Sequence, residues 1–442
     1  MGFTTDRSRQ RDGKPSVMIV ADDLSGATDS AVACAERGLD TVVVLGETSD
    51  PGTAEAIAFD ADTRGLTREA AAAETARLVG AHIKARPGLL FKKVDSTLRG
   101  HVGPEIAALL NTRRHLIAPR SDERTIAVFA PAFPALGRTT VNGRQHLDGV
   151  PLEETEFWQR KGIAGGASLL DMMNRADLES KLLPIETIRG GINSIRAAMT
   201  DAAEQADVLV CDAQTEEDLA AIAQASLEIT VDPVWAGSAG LIGHLLDAAD
   251  VSRQEPTLPQ PMLSAGPLLF VVGSLSSVSR RQAERLAKED IVVLAIEEAM
   301  LNNNSVCMAA LVDHLAAALA TGKDVLILST PKAVLSRRDA GALYTALRDL
   351  IVPHARRIGG LFATGGETAR AVLTGMGVTT LRPVAEIERG VPLSVAGGPH
   401  PFPVITKAGA FGDISTMLNC RRVLHECGSA TFAPALQRKV PV

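Results

Sequence analysis

An α/β protein of two domains, each built on a largely parallel sheet flanked by helices, is predicted by three features of the sequence. Short apolar runs recur along the chain, and they are continuous rather than alternating. Ala-rich stretches of helical length separate many of them. Continuous runs mark strands covered on both faces, and strands alternating with helices make parallel βα units. The third feature is length, because 442 residues exceed what one core supports.

The candidate strands include, in order, Val17–Ala21, Thr41–Leu45, Ala56–Phe59, Leu89–Val94, Ile126–Ala130, Val208–Cys211, Leu268–Val272, Val325–Leu328 and Leu361–Ala363. Helix candidates include Ala27–Arg37, Arg68–His82, Ser279–Lys288 and Val306–Ala320. The domain boundary falls at Asp247–Pro267, where four prolines among polar residues cannot continue a helix and a new strand follows directly. The expected organisation is a tail at 1–15, a first domain at 16–247, a linker at 248–266 and a second domain at 267–435. Phe157–Arg189 reads as an excursion from the sheet.

Composition removes several functional classes. A net charge of −7 opposes a nucleic-acid surface, which needs a basic excess. Aromatics at 3% leave no stacking platform for single strands. No apolar run approaches the roughly 18 residues of a spanning helix, so no membrane role is expected. Residues 1–15 are polar and basic, lack the apolar core of a signal peptide, and read as a disordered tail. Five scattered cysteines fit a reducing compartment, and the expected location is cytoplasmic.

Chemistry is sought at carboxyl ends of strands. After Val17–Ala21 come Asp22 and Asp23, then a small-residue turn into a helix. One Asp capping that helix is the bland account; a reactive carboxylate is the other. The stretch Lys92–Gly100, KKVDSTLRG, is richer. Lys93 and Asp95 would project to one face and Lys92 to the other, and Arg99 would grip a carboxylate bidentately. A structural Lys–Asp pair at a surface turn is its bland alternative. Asp60–Arg64 offers Arg64 as an anion contact, and the loop Ala130–Asn142 offers Arg138 and Thr139. Four strand ends bearing Asp or Arg suit a polyhydroxylated acid, though each alone is more often an ordinary loop.

The second half carries glycine turns of the kind that let N–H groups approach phosphate. They are Val271–Ser276 with Ser274 and Ser276, Thr364–Thr368 with Gly365, Gly366, Glu367 and Thr368, Ala396–Pro399 with Gly397 and Gly398, and Lys407–Asp413 with Gly409. None fits GxxxxGK[ST] or GxGxxG. Each is weak alone, but several together favour a nucleotide. Lys407 is a candidate phosphate contact, and Asp413 or Glu367 candidate Mg²⁺ ligands. Cys420, His425 and Cys427 lack the pairing of a zinc site. His101, Trp158 and Trp235 read as packing residues.

These blocks, ADDLSGATDS at Ala21–Ser30, KKVDSTLRG at Lys92–Gly100, PAFPALGRTTVNG at Pro131–Gly143, VGSLSSVS at Val272–Ser279, TGGETA at Thr364–Ala369 and KAGAFGD at Lys407–Asp413, resemble the four-carbon acid sugar kinase family, in its order. The resemblance implies a sugar-acid-binding N-terminal domain and an ATP-binding C-terminal domain, with the active site in the cleft between them. It also implies phosphorylation of D-threonate, D-erythronate or 3-oxo-tetronates at the terminal hydroxyl, and among members the chain looks most like the D-threonate kinases. Carried over, the substrate residues are Asp23, Arg64 and Lys93, Val94, Asp95 and Ser96. The nucleotide residues are Ser274 or Ser276, Gly365–Thr368 and Gly409. His101 stands where Asn is common and Leu275 where Cys is common, which bears on specificity.

The expected partners are a small-molecule sugar acid and ATP with Mg²⁺, with room left for a homo-oligomer. Asp23 or Asp95 is expected to orient or deprotonate the hydroxyl, with Arg64, Lys93 and Arg99 on the carboxylate. Two rivals stand apart. A two-lobed sugar-acid binding protein would normally carry an export signal. A ribokinase-type enzyme is suggested by GAFGD at Gly409–Asp413, but one extra residue interrupts its GAGD pattern.

Overall fold

The computed structural model describes residues 16–46, 52–82, 87–117, 124–161, 166–251, 266–273, 276–297, 305–330, 337–398 and 400–427. The 1–15 stretch, most of the proline-rich linker, Ser274 and Leu275 lie outside the described residues. The described chain forms two compact units, one of residues 16–41 and 52–251, the other of residues 42–46 and 266–427.

The N-terminal unit runs β1 (Val17–Ala21), α1 (Leu24–Ala35), β2 (Thr41–Val44, which from Val42 belongs to the other unit), β3 (Ala56–Asp60), α2 (Arg68–His82), β4 (Leu89–Lys93), α3 (Val102–Ile117) and β5 (Thr125–Ala130). A small antiparallel sheet of β6 (Arg138–Val141), β7 (Arg144–Leu147) and β8 (Val150–Pro151) follows, then α4 (Glu156–Lys161) and α5 (Leu169–Asn174). The unit closes with β9 (Ser180–Leu183), α6 (Ile185–Ile188), α7 (Ile192–Ala203), β10 (Val208–Cys211), α8 (Glu216–Leu227), β11 (Asp232–Gly237) and α9 (Ala239–Ala248). Its main sheet is entirely parallel, in the order β3–β1–β4–β11–β5–β10–β9. β1, β4 and β5 are buried along their whole lengths, as continuous apolar runs require.

Right-handed crossovers decide where the helices go. From β1 the chain moves one way to β3, then back across β1 to β4, so α1 and α2 take opposite faces. Accordingly α2 packs on α3, while α1 packs on α9, and α9 on α8.

Two elements of this main sheet depart from the sequence expectations. Phe157–Arg189 is not wholly outside the sheet, because β9 pairs with β10 as its edge strand. β11 was hidden by Pro233, which lacks an N–H. Its register with β5 begins at Asp232, but its register with β4 begins only at Trp235, so Pro233 sits where a missing donor is tolerated.

The C-terminal unit runs β12 (Leu268–Val272), α10 (Ser277–Leu286), β13 (Val292–Glu297), α11 (Ser305–Ala320), β14 (Val325–Thr330), α12 (Arg337–Ile351), β15 (Gly360–Thr364), α13 (Gly366–Gly375), β16 (Thr380–Glu388), β17 (Val391–Ala396), β18 (Pro403–Lys407) and α14 (Thr416–Glu426). β13, β14, β12, β15 and β18 are parallel neighbours in that order, and β17, β16 and β2 extend the sheet antiparallel. Phe270 and Phe362 stack 5.3 Å apart in a core closed by Met417, Cys420 and Leu424 of α14.

One ion pair lies inside the N-terminal unit. Lys92 of β4 and Glu105 of α3 meet at 2.5 Å with almost no exposure, and Lys92 also donates to Val20 O at 3.3 Å. Glu105 Oε1 has no hydrogen-bond partner among the described residues. Breaking such a pair strands one buried charge, so Lys92→Met should cost ~3–5 kcal/mol, and the double change Lys92→Met/Glu105→Leu should recover most of it. Denaturant unfolding of the three proteins checks this, and a double variant no better than the single would contradict it.

Candidate functional site

In the N-terminal unit the strand order reverses between β1 and β4, because the crossovers on either side leave to opposite faces. Such a reversal opens a crevice at the carboxyl edge of the sheet. Asp22 and Asp23 leave β1 there, Val94–Arg99 leave β4, and Asp62–Arg64 leave the neighbouring β3.

Arg64 gathers these segments. Its Nε and Nη2 donate to the two oxygens of Asp22 at 2.7 and 3.1 Å, and its Nη1 donates to Asp23 Oδ2 at 2.6 Å. Asp95 Oδ1 stands 3.7 Å from Nη2. Arg99 forks onto Asp95, with Nε 2.6 Å from Oδ2 and Nη2 3.1 Å from Oδ1, and Thr97 Oγ1 donates to the same carboxylate. Asp23 also caps α1, its Oδ1 accepting from Gly26 N at 2.8 Å. The helix cap and the charge cluster are therefore one residue doing both.

Gly26 lets Lys93 in. A Cβ there would lie 2.9 Å from Lys93 Nζ and 3.0 Å from Asp23 Oδ1. Lys93 Nζ donates to Val94 O at 2.9 Å, and Val94 N donates to Gly237 O, so both backbone groups of Val94 are engaged. Leu98 adopts a left-handed φ of 58° and Gly100 one of 89°, which turns the chain back toward Asp22.

The three carboxyls titrate differently. Burial raises Asp22, but the Arg64 guanidinium more than reverses it, leaving Asp22 below the ordinary range. Burial also raises Asp95, which Arg99 and Arg64 then hold well below it. Asp23 ends above its ordinary value, because burial, helped by the charge of Asp22, outweighs Arg64. Of the three, Asp23 alone is shifted toward holding a proton.

Arg138 lies on β6 rather than in a loop, buried, with Nη1 donating to Leu136 O. Burial lowers its pKa against the fields of Asp95 and Asp148. Two residues of this region escaped sequence reading. Fully buried Gln145 of β7 accepts from Thr140 Oγ1 at 2.8 Å and donates to Ser96 O at 2.9 Å, tying the small sheet to the β4 loop. Asp212 accepts from Asn142 N and Gly143 N, both at 2.8 Å, and so holds the β6–β7 turn. Neither carried a local motif. His101 Nε2 meets Leu66 O at 2.9 Å, and Trp235 Nε1 donates to Ser226 Oγ.

The C-terminal unit repeats the reversal between β12 and β15. Gly273 follows β12, Gly365 follows β15, and Ala408–Gly409 follow the neighbouring β18, all at one edge. Gly365 has a φ of 95° and caps α13 without a side chain, leaving the first N–H groups of that helix for a ligand. Thr368 would overlap a Cβ on Gly273, so the two turns pack directly together. Ser276 caps α10 by accepting from Val278 N at 3.2 Å.

Gly397 and Gly398 do not join this edge. β17 runs antiparallel to β18, so its end lies beside the start of β18, and Gly397 packs against Thr380. Lys407 is also turned elsewhere: its Nζ donates to Ala408 O and Phe411 O at 3.0 and 2.9 Å. Glu367 accepts from Tyr344 Oη and Asp413 Oδ1 from Ser415 N. Among the described residues no group of three or more His, Cys, Asp or Glu is placed to hold a metal ion. His425 Nε2 meets Asp324 Oδ2 at 2.8 Å, while Cys420 and Cys427 are buried.

The family model of a sugar-binding N-terminal domain matches residues 17–245, and that of a nucleotide-binding C-terminal domain matches residues 269–417. A D-threonate kinase of Cupriavidus necator is 36% identical over 428 residues, covering 93% of this chain and 98% of that protein. The chain belongs to the four-carbon acid sugar kinase family. A D-threonate kinase of Salmonella typhimurium is 30% identical over 93% of this chain and 99% of its own length. A D-erythronate kinase of Heliobacterium modesticaldum is 28% identical, over 92% and 96%. A Salmonella typhimurium crystal structure described as that of a tRNA synthase has the same fold, with a TM-score of 0.75 at 21% identity over 92% of this chain and 99% of that one. No helix among the described residues of this kinase is long and apolar enough to cross a membrane.

Arg64 is the counter-ion of the cluster. Arg64→Met should lower stability at pH 7.5 by ~3–5 kcal/mol, since it leaves buried carboxylates unpaired. Without the guanidinium, Asp22 rises above its unfolded value and Asp23, already raised, rises further; both take up protons as pH falls, so the deficit should narrow at pH 5. Thermal unfolding of both proteins at the two pH values checks the sign.

Proposed function

We propose that this kinase transfers the γ-phosphoryl group of ATP to the terminal (C4) hydroxyl of a four-carbon sugar acid, D-threonate in the first instance, giving 4-phospho-D-threonate and ADP. The observation that carries the substrate is the 36% identity with a D-threonate kinase over 93% of the chain. The D-erythronate kinase at 28% supplies the alternative acid.

Asp23 is the proposed base. Its raised pKa and its place beside Lys93 and Arg64 suit a group that takes a hydroxyl proton. The hydroxyl oxygen then bonds to the γ-phosphorus, the bond to the β-phosphate oxygen breaks, and ADP departs with that electron pair. Asp95, bound by Arg99, Thr97 and the Arg99 amide, serves better to orient Arg99. Lys93, Arg99 and Arg138, with Val94 and Ser96 shaping the pocket, are the proposed partners of the substrate carboxylate. Arg64, already forked between Asp22 and Asp23, is proposed to hold the aspartates and to meet the substrate only at its rim.

The nucleotide is proposed to sit on the edge formed by Ser276, Gly365, Gly366, Thr368 and Gly409, with Ser274 as a further candidate. One or two carboxylates suffice for a magnesium ion held chiefly by phosphates, and exposed Glu367 and Asp413 are the ones at this edge. Bound there, it would neutralise charge on the phosphates.

A coupled ADP-release screen with Mg·ATP over D-threonate, D-erythronate and 3-oxo-tetronates tests the reading. Turnover with D-threonate is expected, and silence with every four-carbon acid would remove it. Asp23→Asn should cut kcat by about a hundredfold or more while leaving KM for ATP near its starting value, as loss of a general base does. Unchanged turnover would reassign the base.

A further inference from the structure

Lys407 ends β18 fully buried, yet among the described residues no carboxylate lies within ion-pair distance of its ammonium. A buried charge must be paired or hydrogen-bonded, and this one is solvated by the chain that follows it. Nζ lies 3.0 Å from Ala408 O, 3.4 Å from Gly409 O, 2.9 Å from Phe411 O and 3.4 Å from Ser279 Oγ. In a trans peptide, the C=O of one residue and the N–H of the next point in opposite directions. Carbonyls 408, 409 and 411 turned inward therefore turn the N–H groups of Gly409, Ala410 and Gly412 outward. Among the described residues, no protein acceptor receives those three N–H groups.

We infer that Lys407 is a positioning residue for the nucleotide: its ammonium orients the 408–412 peptides so that their N–H groups face a phosphate. The inference rests on reading this edge as the nucleotide site. Helix α10 completes the clasp, with Ser279 Oγ donating to Gly409 O at 2.6 Å and Gln282 Nε2 to the carbonyls of Phe411 and Asp413. Lys407 O accepts from Gly365 N at 2.9 Å, so the same residue ties this loop to the N-terminus of α13. Gly412, at a φ of 80°, allows the turn. Outward N–H groups in succession form an anion-binding concavity. Lys407 thus acts through the loop, not by touching the phosphate as its position in the sequence suggested.

The clasp is also sensitive to pH. Burial brings the Lys407 ammonium down to about 8, against weaker support from Cys420 of α14 and Glu388 of β16. The other groups facing it, Ser279 and Gln282 of α10 and Thr364 of β15, are uncharged. Above pH 8 the charge-assisted bonds to the carbonyls weaken, and phosphate affinity should fall with them.

Calorimetry with Mg·ATP and steady-state kinetics on the full chain test the role. Lys407→Met should raise Kd and KM for ATP tenfold or more while leaving KM for the sugar acid within about twofold. In the unaltered enzyme, KM for ATP should climb between pH 8 and 9.5 while KM for the sugar acid stays level. A folded Lys407→Met that binds Mg·ATP as tightly as the unaltered chain defeats the positioning role alone. If that variant does not fold, a level ATP KM from pH 7 to 9.5 in the unaltered enzyme defeats it instead. An unaltered chain that binds no Mg·ATP defeats the nucleotide reading of the edge as well.

Discussion

The handedness of the crossover between parallel strands is the constraint on which the rest depends. A right-handed connection commits each helix to one face, so a chain that reverses direction within a parallel sheet must send two helices to opposite faces. The gap this leaves at the carboxyl edge is where both units place their unusual residues. In one, the reversal between β1 and β4 gathers Asp22, Asp23 and the Val94–Arg99 turn. In the other, the reversal between β12 and β15 exposes Gly273 and Gly365. Strands buried on both faces hold few charges of their own, which forces polar chemistry to their ends.

The two edges treat buried charge in different ways. The N-terminal edge neutralises it side chain against side chain, with Arg64 serving Asp22 and Asp23 and Arg99 serving Asp95. That arrangement splits the carboxyls: two are held as anions and Asp23 is left as the basic one. At the C-terminal edge no carboxylate among the described residues pairs with Lys407, and a loop instead bends to offer carbonyl dipoles. Carboxylates and ammonium groups pull hydroxyls and acids, whereas outward N–H groups pull phosphate, so the chemistry of each edge follows from how its charge was buried.

Most of the fold was legible because a parallel strand announces itself as a continuous apolar run. Val17–Ala21, Val208–Cys211, Leu268–Val272 and Arg68–His82 form over the spans that periodicity indicates, and other ends move by one to three residues. The failures have local causes. Pro233 disguised β11, and weak burial disguised the edge strand β9, whose pattern is only partly apolar. Nothing in the sequence near Thr41–Val44 says that the strand joins β16 across more than 330 residues, because strand pairing depends on partners and not on composition.

The sequence by itself determined the fold class and the identities of the candidate groups: the acid pair after β1, the KKVDSTLRG turn, Arg64, and glycines where a helix begins at a positive φ. Each is a local matter of side-chain chemistry or backbone freedom. Tertiary structure alone decided what those groups do. It made Asp23 both cap and base candidate, gave Arg64 to the aspartates, drew Gln145 in from a separate sheet and Asp212 from the end of β10, put Gly397 and Gly398 at the opposite edge, and faced Lys407 toward carbonyls. Roles of this kind depend on which charges and dipoles end up within a few ångströms, and residues that meet there are separated in the chain by as many as 130 positions or more.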